Sequence, residues 1–168
     1  VIGESTKVKT IYGGGNLGKV NKNTNVNTNN ITVEDSIYGG GNAAVVGENT
    51  NIHISNTNVN DSVYAGGNGV LAVVNGNTNL DIDDSTSIGK HVFGRGNAAA
   101  TGSLERNNSL GNVNIVSANI GGNVYGGANT SVLYGETIVN VGKNVSTNKD
   151  LVSGDISILG TVFGGGED

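Results

Sequence analysis

Ile11-Tyr12-Gly13-Gly14-Gly15-Asn16 returns as Ile37-Tyr38-Gly39-Gly40-Gly41-Asn42 and again as Val63-Tyr64-Ala65-Gly66-Gly67-Asn68. Divergent copies follow at Val92-Phe93, Val124-Tyr125 and Val162-Phe163. The aromatic residues are spaced by 26, 26, 29, 32 and 38 residues, so the motif marks a structural repeat rather than a uniform low-complexity tract. Around it, four apolar columns keep their places. Val26, Ile52, Leu80, Val113 and Val139 form the first, and Thr28, Ile54, Ile82, Ile115 and Val141 the second. Val33, Val59, Ile88, Ile120 and Ile158 form the third; Ile11, Ile37, Val63, Val92, Val124 and Val162 form the fourth. The extra residues of the longer repeats fall after the motif Asn (98–110 at the longest) and between the second and third columns (142–157). Loops grow in this way while a stacked core cannot.

Alternation in Ile52-His53-Ile54, Leu80-Asp81-Ile82, Val113-Asn114-Ile115 and Val139-Asn140-Val141 is that of strands with one buried face. The strands read as three to five residues long, bounded by Gly, Asn, Asp and Ser, and helical periodicity is absent. Three short strands per repeat predict a parallel β-solenoid of about five to six coils, one per repeat, as a single domain over residues 1–168. An antiparallel meander or sandwich uses the same strands but accounts less well for the sameness of each column. In a solenoid every column becomes a ladder. Tyr12, Tyr38, Tyr64, Phe93, Tyr125 and Phe163 form an aromatic one. Asn16, Asn42, Asn68, Asn97 and Asn129 form an amide one, able to hydrogen-bond along the stack. Thr24, Thr50 and Thr78 form a short hydroxyl column. The Gly triplets are expected to supply left-handed turn conformations, which Asn also tolerates.

The Tyr-Gly-Gly-Gly-Asn and Asn-Thr-Asn pattern (23–25, 49–51, 77–79) resembles the Gly/Asn-rich repeats of large extracellular surface and adhesin-like proteins of anaerobic bacteria. That resemblance covers essentially the whole chain and implies an extracellular stalk or fibre at a prokaryotic cell surface. It transfers no catalytic residue. The last copy departs from it, with Glu167 where the turn Asn is expected.

Composition narrows the function. Of 168 residues, 29 are Gly and 28 Asn, while Pro, Cys, Met and Trp are absent, which removes disulfides, thiolate chemistry and Cys-based zinc sites. A net charge of −5 with nine scattered Lys and Arg argues against nucleic acid, and no apolar run reaches the length of a membrane span. No signal peptide is recognised, and the first residue is not Met, which suggests a processed chain or a piece of a longer one. Both ends read as uncapped coils. They imply either a longer array or subunits stacked end to end, with Ile11 and Val162 as the assembly ends.

Candidate chemistry is sparse. Asp35-Ser36, Asp61-Ser62 and Asp84-Ser85 precede successive aromatic motifs, and acids on adjacent coils are what a carbohydrate-cleaving β-helix uses. The same dipeptides are ordinary turn chemistry. Asp81, Asp83 and Asp84 carry calcium-type oxygens but lack a calcium-roll repeat, and His53 and His91 lie in different phases of the repeat. No Gly-Lys-Ser/Thr follows the Gly triplets, which removes a phosphate-binding loop. The Thr column is too short for an ice-binding array. Asn30, Asn60, Asn107, Asn129 and Asn144 begin glycosylation sequons, as chance dictates in so Asn-rich a chain. The two long loops, with Glu105 and Arg106 in one and Lys143, Lys149, Asp150 and Asp155 in the other, are where specific contacts belong. The expectation is therefore a structural, non-enzymatic protein without cofactor or metal. Its partners are identical subunits or neighbouring repeats and a surface glycan; the alternative is a carbohydrate-binding or carbohydrate-cleaving β-helix.

Overall fold

A computed structural model describes residues 6–102, 108–142 and 155–168. The chain winds through three parallel sheets in turn. The first sheet stacks β1 (Thr6–Val8), β4 (Ile31–Val33), β7 (Asn58–Val59), β10 (Thr86–Ile88), β13 (Ala118–Ile120) and β16 (Ile156–Ile158). The second stacks β2 (Ile11–Tyr12), β5 (Ile37–Tyr38), β8 (Val63–Tyr64), β11 (Val92–Phe93), β14 (Val124–Tyr125) and β17 (Val162–Phe163). The third stacks β3 (Thr24–Asn29), β6 (Thr50–Ser55), β9 (Thr78–Asp83), β12 (Ser109–Ile115) and β15 (Gly135–Val141). Sheets of six, six and five strands make a β-solenoid of about five turns. Parallel strands need a crossover, and here each crossover is the rest of the coil.

The ladders are in register. Val26, Ile52, Leu80, Val113 and Val139 pair in succession, as do Val33, Val59, Ile88, Ile120 and Ile158. The fourth column pairs from Ile11 to Val162. Interior members of these columns share one apolar core and are almost fully buried. Third-sheet strands run to six or seven residues, longer than expected, because each begins upstream of its first apolar position. A fifth column, apolar except for Thr101, runs through Val20, Val46, Val74, Thr101 and Leu133 and joins the coils through isolated parallel bridges, with Val46 and Val74 wholly buried.

Glycine works differently from the expectation. Among the described residues the positive-φ glycines are Gly69, Gly102, Gly135 and Gly142, and none belongs to a motif triplet. The triplet glycines serve close approach instead. A Cβ on Gly40 would lie 2.8 Å from backbone atoms of Gly67 in the next coil, and one on Gly66 would lie 2.6 Å from the Gly96 nitrogen. Left-handed backbone falls instead on Asn30, Asn56 and Asp84, one corner repeated in three coils, and on Ser85, Ala43 and Ala98. Asn and Asp tolerate that region better than other residues with a Cβ.

Candidate functional site

Six aromatic rings stack face to face with centroids 4.8–5.1 Å apart and planes within 9°. The coil spacing imposes that geometry, since hydrogen-bonded strands lie about 4.8 Å apart. Tyr38, Tyr64, Phe93 and Tyr125 are buried, whereas Tyr12 is half-buried and Phe163 is 42% exposed. Burial pushes the Tyr38 hydroxyl up to about 12, with the neighbouring Tyr64 adding to the effect, and burial also raises Tyr64. A tyrosine whose pKa is higher folded than unfolded favours the fold while both states are protonated. That stability is complete below about pH 10 and is lost as pH rises through about 12, an effect on the order of 2–3 kcal/mol from Tyr38. Circular dichroism against pH is therefore expected to show unfolding between about pH 10 and 12, and Tyr38→Phe is expected to move the midpoint upward. An unchanged midpoint would locate the alkaline transition elsewhere.

The amide ladder forms with one polarity. Asn42 donates from Nδ2 to Asn16 Oδ1 at 2.8 Å, Asn68 to Asn42 at 3.2 Å, Asn97 to Asn68 at 3.0 Å and Asn129 to Asn97 at 2.8 Å. Every donor points towards the N-terminal coil. Asn51 to Asn25, Asn79 to Asn51, Asn114 to Asp81 and Asn140 to Asn114 run the same way on the third sheet. Glu167 takes the sixth ladder place, its N–H bonded to the Ala128 carbonyl as the Asn129 N–H is to Gly96. Its carboxylate accepts from the Tyr125 hydroxyl at 3.3 Å.

Thr24, Thr50 and Thr78 are buried, and their hydroxyls donate to the carbonyls of Gly39, Ala65 and Gly94. The column therefore faces inward and offers no ice-binding array. It continues to Thr137, which donates to Gly164, with Gly111 as its one interruption.

That interruption is explained by Arg95, which stands where the motif has its second Gly. Its side chain is fully buried and fills the space a residue-111 side chain would occupy; a Cβ on Gly111 would lie 2.4 Å from Arg95 Nε. The guanidinium donates to Ser109 Oγ at 3.2 Å, to Ser109 O at 3.1 Å and to Glu136 O at 2.9 Å. Among the described residues its Nε finds no partner and no carboxylate pairs with it. Burial lowers its pKa to about 10, so it stays charged at neutral pH. Sequence reading missed Arg95, although the broken triplet Gly94-Arg95-Gly96 and the Gly in a Thr column were both visible.

The expected acids do not form one column. Asp35 and Asp61 stack, with the Asp61 N–H bonded to Asp35 O, but Lys9 precedes them and Lys90 follows. Lys90 Nζ lies 3.0 Å from Asp61, Ser62 Oγ donates to Asp61 and Thr10 Oγ1 to Asp35. Asp84-Ser85 sits elsewhere, at the left-handed corner between β9 and β10, where Asp84 accepts from Ser55 Oγ at 2.8 Å. Asp81 accepts from Asn114, and Asp83 pairs with His53 at 2.9 Å. No group of three His, Asp or Glu among the described residues is placed to hold a metal ion. His91 Nδ1 accepts from the Asn123 N–H at 2.9 Å, extending a side-chain ladder of Ser36, Ser62 and Asn123. Glu105, Arg106, Lys143, Lys149 and Asp150, with the sequons at Asn107 and Asn144, lie outside the described residues. Among the described residues no helix is long and apolar enough to cross a membrane. No protein-family model matches the chain, and neither a curated protein nor a solved structure matches it.

Proposed function

We propose that the protein is a structural element of an extracellular, prokaryotic surface fibre, a rigid rod lengthened by adding coil upon coil. The observation that carries this reading is the continuity of the ladders. Aromatic and aliphatic columns pass from the first coil to the last in one register. The last coil still presents Val162 and Phe163 at 42% exposure, the columns on which another coil would stack. Strand edges of this kind pair readily with further strands. The polar side chains considered for chemistry bond to neighbouring coils, which suits a mechanical role better than a catalytic one.

Negative-stain electron microscopy across a concentration series tests the proposal. Uniform fibres one solenoid wide are expected, and Val162→Lys should abolish them while leaving the circular dichroism of the coils intact. Lone particles at every concentration that bind or cleave a polysaccharide, with loss of that property in Asp61→Asn, would replace it with the carbohydrate-active reading.

A further inference from the structure

Among the described residues the two ends of the stack carry opposite charge. Residues 6–30 of the first coil contain Lys7, Lys9, Lys19 and Lys22, all exposed, and no Asp or Glu. The described residues beyond Asn129 contain Glu136, Asp155, Glu167 and Asp168, all exposed, and no Lys or Arg. Lys22 is held by Glu48 of the second coil at 2.7 Å; Lys7, Lys9 and Lys19 have no ion pair among the described residues. Among the described residues, four cations thus belong to the first coil and four carboxylates to the stretch beyond Asn129.

Hydrogen-bond polarity matches this arrangement. Since each ladder amide donates towards the N-terminal coil, the Asn16 Nδ2 donor faces the N-terminal side of the first described coil, while Glu167 carries an acceptor carboxylate in the last. Apolar columns match as well: Tyr12 and Ile11 at one end, Phe163 and Val162 at the other.

From these features, and resting on the fibre reading, we infer that the partner of each end is the opposite end of a second copy of this chain. The contact is polar and head-to-tail. Phe163 stacks under Tyr12 of the next copy, Val162 under Ile11, and β16 pairs with the next β1. Glu167 accepts the Asn16 amide. Lys7 stands over Ser157, diagonal to Asp155 and within reach of it. The first two sheets run on through the junction. The third, with five strands to their six, keeps one strand position open there. Head-to-head contact would set Lys7, Lys9 and Lys19 against their own copies, and tail-to-tail Glu136, Asp155, Glu167 and Asp168 against theirs; like charges disfavour both. The fibre is therefore polar, and its assembly weakens as salt screens the exposed charges.

Charge reversal of each end tests this. One variant carries Lys7→Glu, Lys9→Glu and Lys19→Glu; the other carries Glu136→Lys, Asp155→Lys and Asp168→Lys. Circular dichroism and urea midpoints check that each folds. Each alone is expected to need at least about tenfold more protein than wild type to form fibres. An equimolar mixture should recover fibres at close to the wild-type concentration, because each reversed end then meets its complement. That recovery also rules out misfolding as the cause of the loss. Fibres from the separate variants as readily as from wild type, or no recovery on mixing, overturns the charge pairing and leaves the fibre reading standing. Wild type that stays monomeric at low and high salt overturns both.

Discussion

Gly111→Thr alone is expected to destabilise the fold by about 3–5 kcal/mol, and adding Arg95→Gly to the same chain is expected to restore it. A side chain at 111 must share the space already filled by the Arg95 guanidinium, 2.4 Å from where its Cβ would lie. The guanidinium cannot move aside without giving up its three bonds to Ser109 and Glu136. Arg95→Gly alone leaves a hollow and two carbonyls without their donor, a loss of about 2–4 kcal/mol set against the removal of a buried cation. The double variant rebuilds the arrangement seen at Thr50 and Thr78, with the new hydroxyl reaching the Gly126 carbonyl as theirs reach Ala65 and Gly94. Urea unfolding of the four chains gives the cycle. A favourable coupling of at least about 2 kcal/mol is expected; additive effects would show that Arg95 and Gly111 are not a matched pair.

Phe93→Ala is expected to cost about 3–5 kcal/mol. Phe93 is 1% exposed and lies between Tyr64 at 4.8 Å and Tyr125 at 4.9 Å, so its loss opens the middle of the aromatic column. Coils on either side touch mainly their neighbours, so the damage should also divide the stack into separately unfolding halves. Amide exchange should then show two levels of protection in place of one. Phe93→Tyr should cost less than about 1.5 kcal/mol, since the column already holds tyrosine in most coils. Equal losses for the two substitutions would mean that ring stacking contributes little.

The sheet core was legible because each coil repeats it. Val26 to Val139 and Ile11 to Val162 pair as the columns align in sequence. The Asn16-to-Asn129 ladder was legible for the same reason. Three features escaped. Val20, Val46, Val74, Thr101 and Leu133 form a column without strands, so no alternation announces it. Gly triplets were misread because glycine serves both tight turns and close packing, and only the distance to the next coil separates the two. Arg95 was passed over because a lone Arg in a polar, Gly-rich turn suggests an exposed residue; its burial depends on Gly111, a coil away. Asp84 was misplaced among the acids because Asp-Ser recurs in two phases of the repeat, one before the aromatic motif and one at the left-handed corner.

Helical reconstruction of the fibres by cryo-electron microscopy tests the continuity of the ladders most directly. Six ring spacings of roughly 4.9 Å, from Tyr12 of one copy to Tyr12 of the next, predict a polar fibre with a rise of roughly 29 Å per copy. The aromatic column should cross each junction unbroken. A fibre whose neighbouring copies are related by a two-fold axis, or whose aromatic column stops at the junction, would contradict the account.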